Sequence, residues 1–269
     1  MEHALGTSEL ERRRLETQAV FFSDFTRRTL KKIGLHAGMH VLDVGSGSGD
    51  VTLLAAEIVG LSGQVTGIDV ERRMVEHARS RAQSANVANV RFQVSSLESD
   101  GLIGNFDVVV GRLVAAFQKD KVDFIRRAAS LAKTGGTVAF VEPGWNMTTA
   151  WTDPVIPSYD GLLGEYLHAL EAMDVDPYLG SSLASSFVEA GLGEPLLSAE
   201  FLVGTHASGL PDFVLTNFEV AFNQARLRGL HVPTAKEFKV KSEEVRRTAK
   251  AKNVQFNGPC IVAAWAKID

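Results

Sequence analysis

The chain has 269 residues, 45% of them hydrophobic, and a formal net charge of −4. Such a length and apolar content can bury one substantial core, and one α/β domain with additions fits better than two domains. The absence of a Lys/Arg block argues against a nucleic-acid partner, and the single cysteine, Cys260, excludes an internal disulfide framework and suits a reducing cytosol.

Met1 to Glu11 contains no signal-peptide apolar core, and no later stretch reaches transmembrane length, so a cytoplasmic protein without membrane contact is expected. From Ser8 to Ile33 the pattern is helical. Ser8-x-x-Glu11 has the form of a capping box, and Leu15, Ala19, Phe22, Leu30 and Ile33 supply an apolar face. Arg12-Arg13-Arg14, flanked by glutamates, reads as a solvated helix face. Gly34 and Gly38 punctuate before a first strand, Val41 to Val44. Val51, Leu54, Ala55 and Ile58 then give a helix with one buried face, stopped by Gly60. Val65 to Asp69 is a second strand, and Met74, Ala78, Ala82 and Ala85 mark the face of the next helix. Val90 to Val94 is the third strand and Phe106 to Val110 the fourth. A helix carrying Val122, Phe124, Ile125, Ala128 and Leu131 leads through Lys133-Thr134-Gly135-Gly136 to a fifth strand, Thr137 to Glu142. Ser181 to Ala190 reads as a helix ended by Gly191; Leu196 to Val203 and Cys260 to Lys267 read as strands, with Cys260 a small buried side chain. This alternation predicts a doubly wound, mostly parallel sheet with right-handed crossovers.

Residues 41 to 50, Val-Leu-Asp-Val-Gly-Ser-Gly-Ser-Gly-Asp, carry the most chemistry. A strand that runs into alternating glycines and then a helix lets backbone approach a ligand, with free N–H groups at the helix start. The second strand ends in Asp69, beside that loop, where a carboxylate can accept both hydroxyls of a ribose. The spacing is Gly45-x-Gly47-x-Gly49, not the dinucleotide Gly-x-Gly-x-x-Gly, and Asp50 stands at the third dinucleotide position. Asp43, inside the first strand, would oppose a pyrophosphate and suits a cationic ligand. The segment resembles the first motif of the class I S-adenosylmethionine-dependent methyltransferases, and the resemblance extends from about Met39 to Glu142.

The resemblance implies a Rossmann-like α/β fold with an antiparallel last strand and S-adenosylmethionine as cofactor. It implies a cofactor site of Asp43, Gly45, Ser46, Gly47, Gly49, Asp69, Val70, Met74, Ser96, Leu97, Gly111 and Arg112. The family commonly has an acid near the end of the third strand for the adenine amino group; here Ser95, Ser96, a backbone group or Glu98 must serve. Val110-Gly111-Arg112-Leu113 corresponds to the strand end that lines the cofactor's methionine half. It is not the Asn/Asp-Pro-Pro-Tyr/Phe segment of methyltransferases that act on planar amide or adenine nitrogens.

Several residues keep two readings. Asp69 can bind ribose, cap the next helix, or both. Met74 can face adenine or the core, and Arg112 can bind a pocket carboxylate or salt-bridge outward. Glu142-Pro143-Gly144-Trp145 can be a rigid strand terminator or part of a pocket. His168, His206, His231 and Tyr166 fall in long segments and are general-base or acceptor-orienting candidates.

The expected organisation is a single domain over 1–269: an N-terminal helical extension (1–36), a cofactor-binding core (37–144), and insertions at 145–180 and 205–258. The insertions are too long for ordinary connections and are expected to form a lid over the substrate. Gln18 to Phe25, with Phe21 and Phe22, is expected to join it. Phe, Leu and Trp in these segments hint at an apolar or aromatic acceptor, although Phe213, Phe218 and Phe222 can equally be helix core. The expected function is methyl transfer from S-adenosylmethionine to an O, N or C atom of a small-molecule acceptor, with no metal. Self-association into a homo-oligomer is left open. The alternatives are an S-adenosylmethionine-binding protein with a regulatory or non-methylating role, and a nicotinamide oxidoreductase, which the loop spacing disfavours.

Overall fold

Strand-forming apolar runs separated by amphipathic helices assemble into one sheet in a computed structural model that describes residues 9–99, 102, 104–145 and 150–269. Strands β1 (His40–Val44), β2 (Gln64–Asp69), β3 (Val90–Val94), β4 (Phe106–Arg112) and β5 (Ala132–Gly144) are parallel, in the order β3-β2-β1-β4-β5. Strand β8 (Gln255–Lys267) runs antiparallel beside β5, from Thr137 opposite Lys267 to Gly144 opposite Cys260. Strand β7 (Leu196–Gly204) pairs with the other side of β8, and the short β6 (Thr152–Asp153) pairs with its first residues. The α/β sheet with its antiparallel last strand is thus as expected.

Pleating sends alternate residues to opposite faces. Val41, Val65, Val108, Val110, Ala139 and Val141 point into one core. Leu42, Val44, Ile68, Val109, Val138 and Phe140 point into the other. The first core is covered by α1 (Glu9–Lys32) and α2 (Asp50–Val59), the second by α4 (Lys121–Ser130) and α6 (Leu179–Glu189). Helix α3 (Arg72–Ser84) packs on β3 through Val75, Ala78 and Ala82. Val75 takes the place expected of Ala85, which is exposed. Gly60, at φ 63°, ends α2 as read, and Cys260 is buried.

Within the two long segments the chain forms α5 (Pro157–Ala172), α7 (Leu210–Leu227) and α8 (Ala235–Lys252), which pack on one another, with α1 against α7. Phe213, Phe218 and Phe222 are all buried inside this helical layer, so they are core. Ser8 lies outside the described residues. Its expected capping partner Glu11 is buried and engages Arg14 through two bonds, at 2.6 and 2.7 Å. Arg14 corrects the solvated-face reading: it is buried and also donates to Gln18 at 2.7 Å and to Asn217 of α7 at 3.0 Å. A carboxylate and two amide oxygens satisfy the guanidinium, which is how an arginine can sit inside an apolar interface.

Candidate functional site

The strand order reverses between β1 and β4, and the chain leaves both strands at their carboxyl ends in loops that face each other. This is the topological switch point at which open α/β sheets bind ligands. One wall of the crevice is the glycine loop, residues 45 to 49. The other is the turn after β4, from Leu113 through the single-turn 3-10 helix Ala115–Phe117.

The three glycines serve different ends, although all have positive φ. A Cβ on Gly45 would lie 2.4 Å from Cγ2 of Val114, and one on Gly49 would lie 2.8 Å from the Phe92 ring. Packing therefore demands both. A Cβ on Gly47 would meet nothing within 4 Å, so it is Gly47 whose backbone faces open space, free for a ligand. Gly111, expected among the ligand contacts, lies beneath the surface, where a Cβ would meet Phe140 at 2.7 Å and Val114 at 2.8 Å.

Asp43 sits fully inside β1. Its Oδ2 accepts a 2.6 Å bond from Oγ1 of Thr52, and its Oδ1 is buried with no partner. Burial pushes its pKa up to about 7, against the Thr52 bond and the Arg112 charge, which pull the other way. Asp69 closes the other end of the site. Its Oδ2 accepts from Gly47 N–H at 2.8 Å and its Oδ1 from Glu71 N–H at 2.9 Å. The carboxylate thus braces both the glycine loop and the entry to α3, and its outer lone pairs can still accept hydroxyls.

Arg112, at the end of β4, is buried; one Nη donates to Thr26 of α1 at 2.9 Å and the other lies 3.8 Å from Asp50. Burial pushes its pKa down, opposed by Asp50 and Asp43. Asp50 opens α2 and also pairs with Arg81 at 2.6 Å. Arg112 thus pairs inward with Asp50 rather than outward. It brings β4, α2 and the middle of α1 to one point at the carboxyl end of β4.

Met74, Ser96 and Leu97 are half-buried along this edge, and Val70 is exposed. Ser96 N–H donates to Oγ of Ser99 at 3.0 Å, while Ser95 N–H donates to the Asp69 carbonyl at 3.0 Å. Trp145 and Tyr166 are buried against each other and against Phe218, with Trp145 and Tyr166 rings 5.3 Å apart. Burial pushes the Tyr166 hydroxyl's pKa up, which opposes use as a base. His168 on α5 and His206 before α7 are exposed and are not brought together with Tyr166.

Sequence periodicity missed Thr52, Thr26, Asn217 and the role of Glu142. Only Thr52 left a signal, a hydroxyl in the buried stripe of α2 beside Val51, Ala55 and Ala56. Glu142 is buried completely and accepts backbone N–H groups from Val114 at 3.0 Å, Ala115 at 2.8 Å and Ala116 at 3.4 Å.

The residues present fit a cationic nucleoside cofactor. Two polar atoms at the start of the loop, Asp43 Oδ1 and Ser46 Oγ, are buried without partners, and Gly47 opens the backbone beside Asp69. Neither a phosphate-neutralising lysine nor the dinucleotide glycine spacing is present in the loop.

Comparison with known proteins agrees. Residues 35–158 match the family model described as "Methyltransferase domain". Aklanonic acid methyltransferase DauC of Streptomyces sp. (strain C5) is 35% identical over 138 residues, 51% of this chain and 61% of that protein. The demethylmenaquinone methyltransferase of Lactococcus lactis is 28% identical over 163 residues, 60% of each chain. The chain thus spans about three-fifths of the length of these relatives. A solved structure of a putative methyltransferase from Bacillus halodurans superposes with a TM-score of 0.60 at 16% identity, covering 91% of this chain and 99% of that one. The YcgJ protein of Bacillus subtilis gives 0.59 at 20%, covering 91% and 98%. The likeness in fold therefore extends well past the matched domain.

Proposed function

With a methyltransferase domain over residues 35–158 as the premise, we propose that the protein transfers a methyl group from S-adenosylmethionine to an O, N or C atom of a small, apolar or aromatic metabolite. The observation that carries the reading is the buried, unpartnered Oδ1 of Asp43 at the switch point, within a site that also holds Asp69 and the open Gly47. A carboxylate there costs stability unless a cation or hydrogen-bond donor completes it.

Asp69 would accept the ribose hydroxyls, and Asp43 with the loop backbone would face the methionine ammonium. Met74, Ser96 and Leu97 would line the adenine side. Bound S-adenosylmethionine supplies an electrophilic methyl group. The chain's own contribution is to hold the acceptor atom in line and to exclude water, which accounts for most of the acceleration such a displacement needs. Helices α1, α5, α7 and α8 would form the lid, since α1 is tied to the sheet edge by Thr26 and Arg112 and to α7 by Arg14 and Asn217. The names of matched relatives, aklanonic acid methyltransferase and demethylmenaquinone methyltransferase, support a small-molecule acceptor of this kind.

Calorimetric titration with S-adenosylmethionine and with a nicotinamide dinucleotide tests the cofactor, and incubation with methyl-labelled cofactor and a panel of phenols, quinols and aromatic acids tests the transfer. Binding of S-adenosylmethionine alone and a labelled product are expected. Cofactor retention without any product would favour a binding protein, and tight nicotinamide binding alone would overturn the assignment.

A further inference from the structure

Glu142 ends β5 on the far side of β4 from the glycine loop, yet its carboxylate governs the wall opposite that loop. The turn Ala115–Phe117 begins at Val114, which has no side chain able to cap it. Serine, threonine, asparagine or aspartate would ordinarily supply the cap at that position. Here Glu142 reaches over from the neighbouring strand and accepts the N–H groups of Val114, Ala115 and Ala116. Capping from a distance leaves position 114 free to be a valine, and that valine is the side chain seated on Gly45 and Gly111.

The chain is strained at the residue just before this turn. Leu113 has φ +55°, a left-handed conformation that is unfavourable for a residue with a branched side chain, and its N–H is fixed by the Val141 carbonyl at 2.8 Å. Burial raises the Glu142 pKa to about 7; the three N–H groups pull it back, while Asp176 raises it further. Lys121 pairs with Asp176 at 3.5 Å. A carboxylate buried at such cost, a strained residue and an apolar contact on the glycine loop all meet at the switch point.

We propose that Glu142 is a positioning residue: by capping the turn after β4 it presses Val114 onto Gly45 and so sets the spacing between the two walls of the cofactor crevice. The proposal rests on the S-adenosylmethionine reading for what fills the crevice. Glu142 touches no ligand in this scheme; it acts through Val114 and the backbone of the turn.

Glu142→Gln keeps the side chain's shape but turns an NH2 toward backbone donors. Calorimetry with S-adenosylmethionine and with adenosine, alongside amide hydrogen exchange, tests the idea. Expected is about tenfold weaker S-adenosylmethionine binding, adenosine binding changed by less than about twofold, and faster exchange at Val114 to Ala116 and in the Gly45 loop. Val114→Ala, which leaves the Glu142 bonds in place, should weaken S-adenosylmethionine selectively without faster exchange at Ala115 and Ala116. Equal weakening of both ligands in Glu142→Gln, or unchanged exchange at residues 114 to 116, would overturn the proposal. If the wild-type protein binds no S-adenosylmethionine, the functional reading fails, and exchange in the two walls alone then decides the role of Glu142.

Discussion

Replacing Asp43 with asparagine should weaken cofactor binding and flatten the free protein's loss of stability as pH rises through the range in which the carboxyl ionises. The carboxyl is fully buried, one oxygen is bonded to Thr52 and the other has no partner. Its pKa rises from 3.8 to about 7, with burial the largest cause. The folded state thus holds the proton more tightly than the unfolded chain, so this group's contribution to stability falls as pH rises through the window from 3.8 to about 7. Integrating between about pH 5.5 and about pH 8, the wild type should lose about 2 kcal/mol through Asp43. Glu142, raised from 4.5 to about 7, adds a loss of the same sign. The asparagine side chain would keep the acceptor for Thr52 and remove the ionisation, at a cost of about 1–3 kcal/mol for a buried NH2 donor without a partner. Urea unfolding of the ligand-free proteins at the two pH values reads the difference. Asp43→Asn should lose about 2 kcal/mol less than wild type between them, and calorimetry should show weakened S-adenosylmethionine binding. Parallel pH dependences for the two proteins would refute the argument that Asp43 is a strained, ionisable group inside β1.

Asp69→Ala should weaken S-adenosylmethionine binding by about 2–4 kcal/mol, because it removes the proposed ribose acceptors and also releases Gly47 N–H, which the carboxylate now holds. Unchanged affinity by calorimetry would take Asp69 out of the site. Thr26→Val strands a buried Arg112 donor and should cost about 1–3 kcal/mol in urea unfolding, with faster hydrogen exchange in α1 and little change at β1. Trp145→Ala empties a space between Tyr166 and Phe218 and should destabilise by about 3–5 kcal/mol. If it instead leaves stability unchanged, Trp145 does not anchor the chain after β5 against Tyr166 and Phe218.

The elements that the sequence made legible are those set by local rules. Alternating and 3.6-residue apolar periods marked β1 to β5 and α2 to α4. The spacing of the glycines at 45, 47 and 49, each at positive φ, and of the acids Asp43 and Asp69 is likewise local, and these residues lie together at the end of β1. Boundaries shifted where a partner strand extended the pairing: β8 begins at Gln255 because β6 and β7 give residues 255 to 257 partners. Tertiary structure alone decided which polar side chains go inside. Arg14 reads as solvent-facing in its own helix, and becomes buried because Asn217, 203 residues away, completes its shell. Arg112 finds Thr26 across 86 residues, and Glu142 finds three amides about 26 to 28 residues back in the chain. Periodicity reports how often a face is apolar, so it predicts burial of a stripe. It carries no information about which distant donor will meet a buried acceptor, and that pairing determines whether a charge can stay in the core.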